Sequence, residues 1–438
     1  MTRRIRTMAR TGTQLPPRFY RNTFMIGVGF FTMGLMDPLY DNYVPVFLSG
    51  FLESRALIGT FMTIDNIMAL MLIPIVTAWS DRVRTPMGRR MPFIIVTLPL
   101  SAIMFALLPS AGMTSLAVFV AGLVGFNLFK QSARGPVVAL MPDLIPNEYR
   151  SEANGVINMM GGIAAVVGTL ALAPLMDAHL VLPVLGDTSR RLPFIISAVL
   201  IVVAAVLLWR TVHEKPMPES GGERVPVLKS LQQVFIARDR TAVYILIALF
   251  LWFCAYWGMR PFMTLYVIEY LGLSEGMAGF STGMVAVAYL VFAVPSGMIA
   301  HRIGRKRTVR LALAGMALLG VLMFTHEAWT LALGASQRAA VGSFWALLFV
   351  FGMCWGAANT NSFPMLWQMA GFKTMGAFTG VYYVFSQAAA IVAPPLTGVI
   401  VDAAEFRAIF AVAAVVMLAS FLVMGRVSGG ETQRAQGE

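Results

Sequence analysis

Six ionisable residues stand inside stretches that are otherwise apolar: Asp37, Asp41 and Asp65 on the acidic side, and Lys130, Arg134 and Arg260 on the basic side. A charge near the bilayer centre costs about 2.5–3.5 kcal/mol by insertion scales, so six unpaired ones would cost on the order of 15–20 kcal/mol together. Such residues persist where they pair, face water or do work. A carboxylate in a partly dry cavity is neutralised by desolvation and ionised by a nearby cation, so a structure that alternates the two can bind a proton on one side and release it on the other. Asp37 and Asp65 are the candidate proton carriers. Lys130 and Arg134 are candidates to pair with them, or to donate hydrogen bonds to substrate hydroxyls or to a carboxylate. The competing reading is that the six form fixed ion pairs that only orient helices.

The elements that must position these residues follow from composition. The 438-residue chain is 58% hydrophobic and only 12% charged, and its mean hydropathy is +0.74. A soluble protein of this size carries roughly 25% charged residues. The apolar residues come in long blocks, and about 20 of them span a bilayer, so the expected class is an all-α polytopic membrane protein. A transmembrane β-barrel would show alternating segments of roughly 10 residues instead. Twelve segments are expected, at 22–48, 57–79, 91–110, 114–141, 153–177, 192–210, 241–269, 278–300, 308–325, 341–368, 376–402 and 407–425.

The net charge of +12 raises nucleic acid as a partner, and its distribution excludes it. The side that holds both termini takes 25 Lys and Arg residues, whereas the opposite side takes five: Arg55, Arg190, Arg191, Arg338 and Arg407. The positive-inside rule then puts both termini in the cytoplasm. Residues 1–21 form a basic tail without an apolar core, so no cleavable signal peptide is expected. No N-x-Ser/Thr sequon occurs, in keeping with a bacterial chain in the inner (plasma) membrane. Cys254 and Cys354 both lie in apolar segments and imply neither a disulfide framework nor a zinc site.

The longest connection, 211–240, contains HEKPMPESGGERVP and reads as a cytoplasmic linker. It divides the chain into a 22–210 bundle and a 241–425 bundle, followed by a tail at 426–438. An internal repeat supports the division. MDPLYDNYV from Met36 matches MRPFMTLYV from Met259, at an offset of 223. GRR at Gly88 matches GRK at Gly304, at an offset of 216. Gly155-Val156 and Asp177 match Gly380-Val381 and Asp402, both at an offset of 225. Parallel six-helix repeats are the arrangement of the major facilitator superfamily, with two pseudo-symmetric bundles.

Three stretches carry a more specific resemblance: SDRVRTPMGRRMPFI at 80–94, RGPVVALMPDLIPNEYRSEANGVINMMGG at 134–162, and YDNYVPVFLSGF at 40–51 followed by LIGTFMTIDNIMAL at 57–70. The first resembles the loop after the second helix of sugar–cation symporters, the glycoside–pentoside–hexuronide family and its sucrose/proton symporter-like relatives. The others resemble the bacterial sucrose-symporter-like branch. The resemblance covers the first half well; the second half is covered by topology and by HRIGRKR at 301–307. Melibiose-type members carry an Asp pair in the second helix close to the loop. Here only Asp65 is present, so protons rather than sodium are the expected coupling ion.

The resemblance implies that the first, fourth, seventh and tenth helices line a central cavity. At 1.5 Å per residue, Asp37, Asp65 and Arg260 fall somewhat outside the midplane, Lys130 near it, Arg134 on its cytoplasmic side, and Asp41 close to the outer interface, where it is expected to be solvated. Asp37 and Arg260 occupy equivalent repeat positions, each followed by proline, and are expected to bridge across an outer gate. Asp81, Arg82, Arg89 and Arg90 sit in a cytoplasmic loop whose basic character topology alone explains; the resemblance adds an inner gate. Arg302, Arg305 and Lys306 read as plain positive-inside residues.

The second half offers aromatics and amides: Trp252, Tyr256, Trp257, Trp355, Asn359, Asn361, Trp367, Tyr382, Tyr383 and Gln387. Sugar sites combine aromatic faces with amide hydrogen bonds, and Tyr256, Asn359 and Gln387 are the expected substrate contacts, against the commoner role of Trp and Tyr as packing or interface anchors. His179, His213, His301 and His326 are scattered, no phosphate-binding loop occurs, and no enzyme, cofactor or metal is expected. The expected function is proton-coupled symport of a sugar or glycoside by a monomer in the lipid bilayer. The alternatives are transport of an anionic metabolite, export of amphiphilic compounds, and a non-transporting membrane sensor.

Overall fold

A computed structural model describes residues 19–146, 149–183, 186–214, 240–369 and 375–428. It holds twelve long helical units. In the first half they are α1 (Phe19–Ser49), α2 (Arg55–Phe61 continuing as Ile64–Arg82), α3 (Met91–Gly112), α4 (Leu116–Leu144), α5 (Arg150–Val166, then a π turn at Val167–Leu172 and a 3-10 turn at Ala173–Asp177) and α6 (Leu192–Thr211). In the second half they are α7 (Thr241–Glu269), α8 (Glu275–Ile303), α9 (Arg305–Phe324), α10 (Gln337–Met369), α11 (Met375–Ala403) and α12 (Ala408–Gly425). Eleven of these units are long and apolar enough to cross a membrane by composition alone; α1, with 31 residues, is the twelfth and carries Asp37 and Asp41. The protein is therefore an all-α polytopic membrane protein. Most of the expected linker, 215–239, and both outermost tails lie outside the described residues.

Local chemistry sets several helix starts. Ser54, Ser115 and Ser274 are N-caps whose hydroxyls accept from the amides of Leu57, Val118 and Met277, satisfying donors that lack intrahelical partners. The repeated GRR and GRK loops have a shared backbone reason. Gly88 has φ +106° and Gly304 φ +95°, a region that favours glycine, and each lies directly before the basic pair that leads into α3 or α9. Two units depart from regular α-helix: α2 breaks at Met62-Thr63, and α5 ends in its π and 3-10 turns. A short hairpin in the α5–α6 connection pairs β1 (Val181–Leu182) with β2 (Gly186–Asp187), an element the apolar pattern does not announce.

Within the first half, α1 packs on α5 and α6, α3 on α4 and α6, and α2 on α4; within the second, α8 packs on α10, and α7 on α11 and α12. Between the halves, α1 meets α7, the start of α2 meets α11, and the end of α5 meets α8. The core runs through these contacts, with Phe105, Phe119, Phe126 and Phe194 buried in the first half and Trp252, Phe262, Phe344 and Phe410 in the second. Large apolar side chains such as Val291, Val294, Val415 and Leu422 remain exposed, as a lipid-facing perimeter requires.

Candidate functional site

The six charges resolve into two ion pairs and two single residues. Lys130, in α4, is only 2% exposed, and its Nζ lies 2.6 Å from Asp37 Oδ1. The ammonium also sits 5.1 Å and 5.4 Å from the ring centres of Tyr40 and Phe126, within cation–π range. Asn127, one turn before Lys130, donates through Nδ2 to the Tyr40 hydroxyl at 3.2 Å. This pair ties α1 to α4 and stays inside the first half.

The second pair crosses the molecule. Arg260, in α7, places Nη2 2.6 Å from Asp41 Oδ2, and its guanidinium lies 5.0 Å from the Trp257 ring centre. Nearby, Thr264 Oγ1 donates to Asn42 Oδ1 at 3.2 Å, so two consecutive residues of α1 hold α7. The expected Asp37–Arg260 bridge is thus replaced by Asp41–Arg260. The physical reason is register: Asp41 lies one helical turn beyond Asp37 on the same face, and Asp37 already has Lys130. Asp41, expected to be solvated, has a side chain only 14% exposed. The Asp37–Lys130 bond is one of the pairings expected for the α4 bases, with the long lysine side chain reaching the α1 acid.

Asp65 and Arg134 have no ion-pair partner within 4.0 Å among the described residues. Asp65 opens the second segment of α2, just after the break. Asn66 Nδ2 donates to its Oδ1 at 2.7 Å, and Gln131 Nε2 donates to its backbone carbonyl at 3.3 Å.

Beside the Asp41–Arg260 pair lies a cavity of about 280 Å³ between the halves. Pro38, Asn42, Thr169 and Thr282 contribute to its lining, and Met259, Met263, Val285, Tyr289 and Trp355 give it apolar and aromatic walls. Tyr256 also lines it, with its ring stacked on Trp355 at 3.7 Å between centres and 9° between planes. Of the expected substrate contacts, Tyr256 faces this cavity; Lys130, Arg134, Asn359 and Gln387 do not line it. Asn359 instead donates to the Trp355 carbonyl of its own helix at 3.0 Å. The side chain of Trp367 lies outside the described residues. Among the described residues no group of three or more His, Cys, Asp or Glu side chains could hold a metal ion.

At the end near the α2–α3 loop, the expected inner-gate residues gather around two carboxylates that sequence reasoning missed. Arg90 is buried and bonds Asp81, Ser80, the Thr77 carbonyl and Asp143. Arg89 pairs with Asp143 as well; burial opposes its charge, but Asp143 together with Asp81 and Glu214 offsets this and raises its pKa above the ordinary arginine value. Glu214, just beyond α6, accepts from the backbone amides of Arg89, Arg90 and Met91 at 2.8–3.0 Å, capping α3 in the manner a helix dipole favours. Arg82 is exposed. The partners described for Arg89 and Arg90 belong to the first half or, in Glu214, to the start of the linker, and none to the second half. Asp143 and Glu214 carry no local signature, since an acid in a basic loop region reads as solvated.

The opposite end is fastened across the halves. Asp402, near the end of α11, accepts from Ser54 Oγ at 2.8 Å and from the amides of Arg55 and Ala56 at 2.6 and 3.0 Å. Asp177, at the end of α5, accepts from Ser274 Oγ at 2.6 Å and from the Gly276 amide at 3.0 Å. Each repeat-related Asp therefore caps the first turn of a helix in the other half. Arg55–Glu269 and Arg190–Glu275 add ion pairs between the halves, and the Gly398 position is so close to the Arg55 backbone that a side chain there would collide with it.

The sequence profile described as Major Facilitator Superfamily matches residues 23–285 and 260–436. The "Multidrug resistance protein MdtG" of Salmonella heidelberg is 24% identical over 422 residues, covering 93% of this chain and 95% of that protein. Among solved structures, a bacterial homologue of the iron transporter ferroportin in an inward-facing state superposes with a TM-score of 0.68 at 14% identity, over 94% of this chain and 99% of its own. A D-xylose–proton symporter superposes with a TM-score of 0.62 at 17% identity, over 92% and 97%; these two likenesses are of fold.

Proposed function

We propose that this chain, which belongs to the major facilitator superfamily, is a membrane transporter that exports aromatic, amphiphilic compounds in exchange for protons. The observation that carries the reading is the cavity wall. Met259, Met263, Val285, Tyr289, Trp355 and the Tyr256 ring make an apolar, aromatic surface, which suits a largely apolar ligand fixed by a few polar groups. A sugar would need most of its hydroxyls matched by donors and acceptors, because a buried polar group without a partner is costly. The likeness over nearly full length to a multidrug resistance protein points the same way. Of the stretches that resemble sugar–cation symporters, the 80–94 loop contributes nothing to the cavity lining, and the others contribute only Asn42 and Gly162.

Placing both termini in the cytoplasm puts the Asp177 and Asp402 caps at the outer face. A closure at the outer end suits the loading state of an exporter. Rocking of the halves about the cavity would expose it to the other side. Asp65, which makes no ion pair among the described residues, is the carboxylate that can take up and release a proton without first breaking one. The Asp41–Arg260 pair joins the halves and must part or rearrange when they rock.

Inside-out vesicles with an acidic lumen test the proposal. Aromatic drugs should accumulate in the lumen, and Asp65→Asn should abolish the proton-driven component. Accumulation of sugars but no aromatic compound would overturn it.

A further inference from the structure

Asn42 is 3% exposed and lines the cavity, yet its amide nitrogen has no hydrogen-bond partner among the described residues. The other buried polar atoms in that condition belong to Thr23, Asn127, Gln131, Arg191, Trp252 and Arg310, none of which lines the cavity. In this structure the Asn42 oxygen accepts from Thr264 Oγ1, which leaves the nitrogen as the open donor. A buried donor with no acceptor is an expense that a fold rarely tolerates without a use.

The charges around the donor limit what could satisfy it. Arg260 is the one ionised residue in the lining, and Asp41 neutralises it at 2.6 Å. A permanently charged ligand would bring an unmatched charge into an apolar space, which is strongly disfavoured. The aromatic walls, with Tyr256 stacked on Trp355, supply surface for a flat ring system. We propose that Asn42 is a specificity-determining residue that donates from Nδ2 to a carbonyl oxygen of the ligand, and that the site therefore selects uncharged aromatic compounds bearing such an oxygen. Thr264 acts as a positioning residue by holding the amide in register. This inference rests on the export reading and narrows its substrate class.

Equilibrium binding of three radiolabelled probes to the purified protein in nanodiscs, corrected with empty nanodiscs, tests it. The probes are 9-fluorenone, fluorene of nearly the same shape without the carbonyl, and the anion 9-oxofluorene-2-carboxylate. Fluorenone should bind on the order of tenfold more tightly than fluorene, the factor that one net hydrogen bond supplies, and more tightly than the anion. Asn42→Leu should bring the fluorenone-to-fluorene ratio to about one without weakening fluorene. Asn42→Asp keeps an acceptor for Thr264 and removes the amide donor, so it should also lower the ratio even if the Leu variant fails to fold. Thr264→Val should lower it part of the way. A ratio near one in the unaltered protein, or a ratio unmoved by Asn42→Asp, overturns the inference. If the vesicles still accumulate both hydrocarbon and ketone in that case, the export reading survives; if no probe binds and none is moved, both fall.

Discussion

Asp37 and Asp41 are one helical turn apart on one face of α1, yet the ion pairs they make have opposite relations to the fold. Asp37–Lys130 lies within the first half, with a nearly inaccessible ammonium braced by Tyr40 and Phe126. Asp41–Arg260 reaches α7 in the second half and borders the cavity. The first pair lies within one half and holds α1 against α4, so the proposed rocking of the halves would leave it intact. The second spans the contact between the halves, so the same rocking would part or rearrange it. About 6 Å of helix rise, four residues at 1.5 Å each, separates a structural charge from a conformational one.

The largest effect expected from breaking this contrast comes from Lys130→Met. It leaves the Asp37 carboxylate, a third exposed, without its partner and empties the buried ammonium's place between Tyr40 and Phe126, and should destabilise the protein by about 3 kcal/mol, read as loss of folded protein in a detergent melt. Asp37→Asn combined with Lys130→Met should recover most of that loss. Asp41→Asn should cost less, about 2 kcal/mol, because Arg260 keeps its ring contact and is partly exposed. Its signature should be a change of state, measured as a longer distance between spin labels on Leu57 and Val399, lipid-facing positions in different halves. Asp177→Asn and Asp402→Asn should each lengthen the same distance for about 1 kcal/mol, and the double variant should do so additively. Glu214→Gln should have the smallest effect, about 0.5–1 kcal/mol from weakening the α3 cap, with the Leu57–Val399 distance unchanged. A longer distance in Lys130→Met, or none in Asp41→Asn, would reverse the assignment of the two pairs.

The helices were legible because an apolar run of bilayer length has few other uses. The expected segments at 241–269 and 192–210 fall on α7 and α6 to within a residue at each end. The breaks were not legible: Met62-Thr63 and Val167–Leu172 are apolar or small residues that also fit a regular helix, and packing decides their geometry. The pairings were hidden for a different reason. Spacing of four shows that Asp37 and Asp41 share a face, but not which neighbour that face meets or at what height. Asn42 escaped notice among the charges, although an amide in the middle of a span is itself a signal. The internal repeat revealed Asp177 and Asp402 as a matched couple and said nothing of what they bind, because each partner helix belongs to the other half.

Those two aspartates have a consequence for turnover. Each is fastened to a helix start mostly by exposed hydrogen bonds, with the Gly276 amide part-buried, so that on parting water can reach the donors and the carboxylates. Parting the two sides thus strands no polar group, and the states on either side of that exchange can lie close in free energy. A seam closed wholly by apolar packing would be more stable and slower to reopen. With the proposed rocking of the halves, the same replaceable fastening used twice, at places related by the repeat, would let this end reopen at little cost.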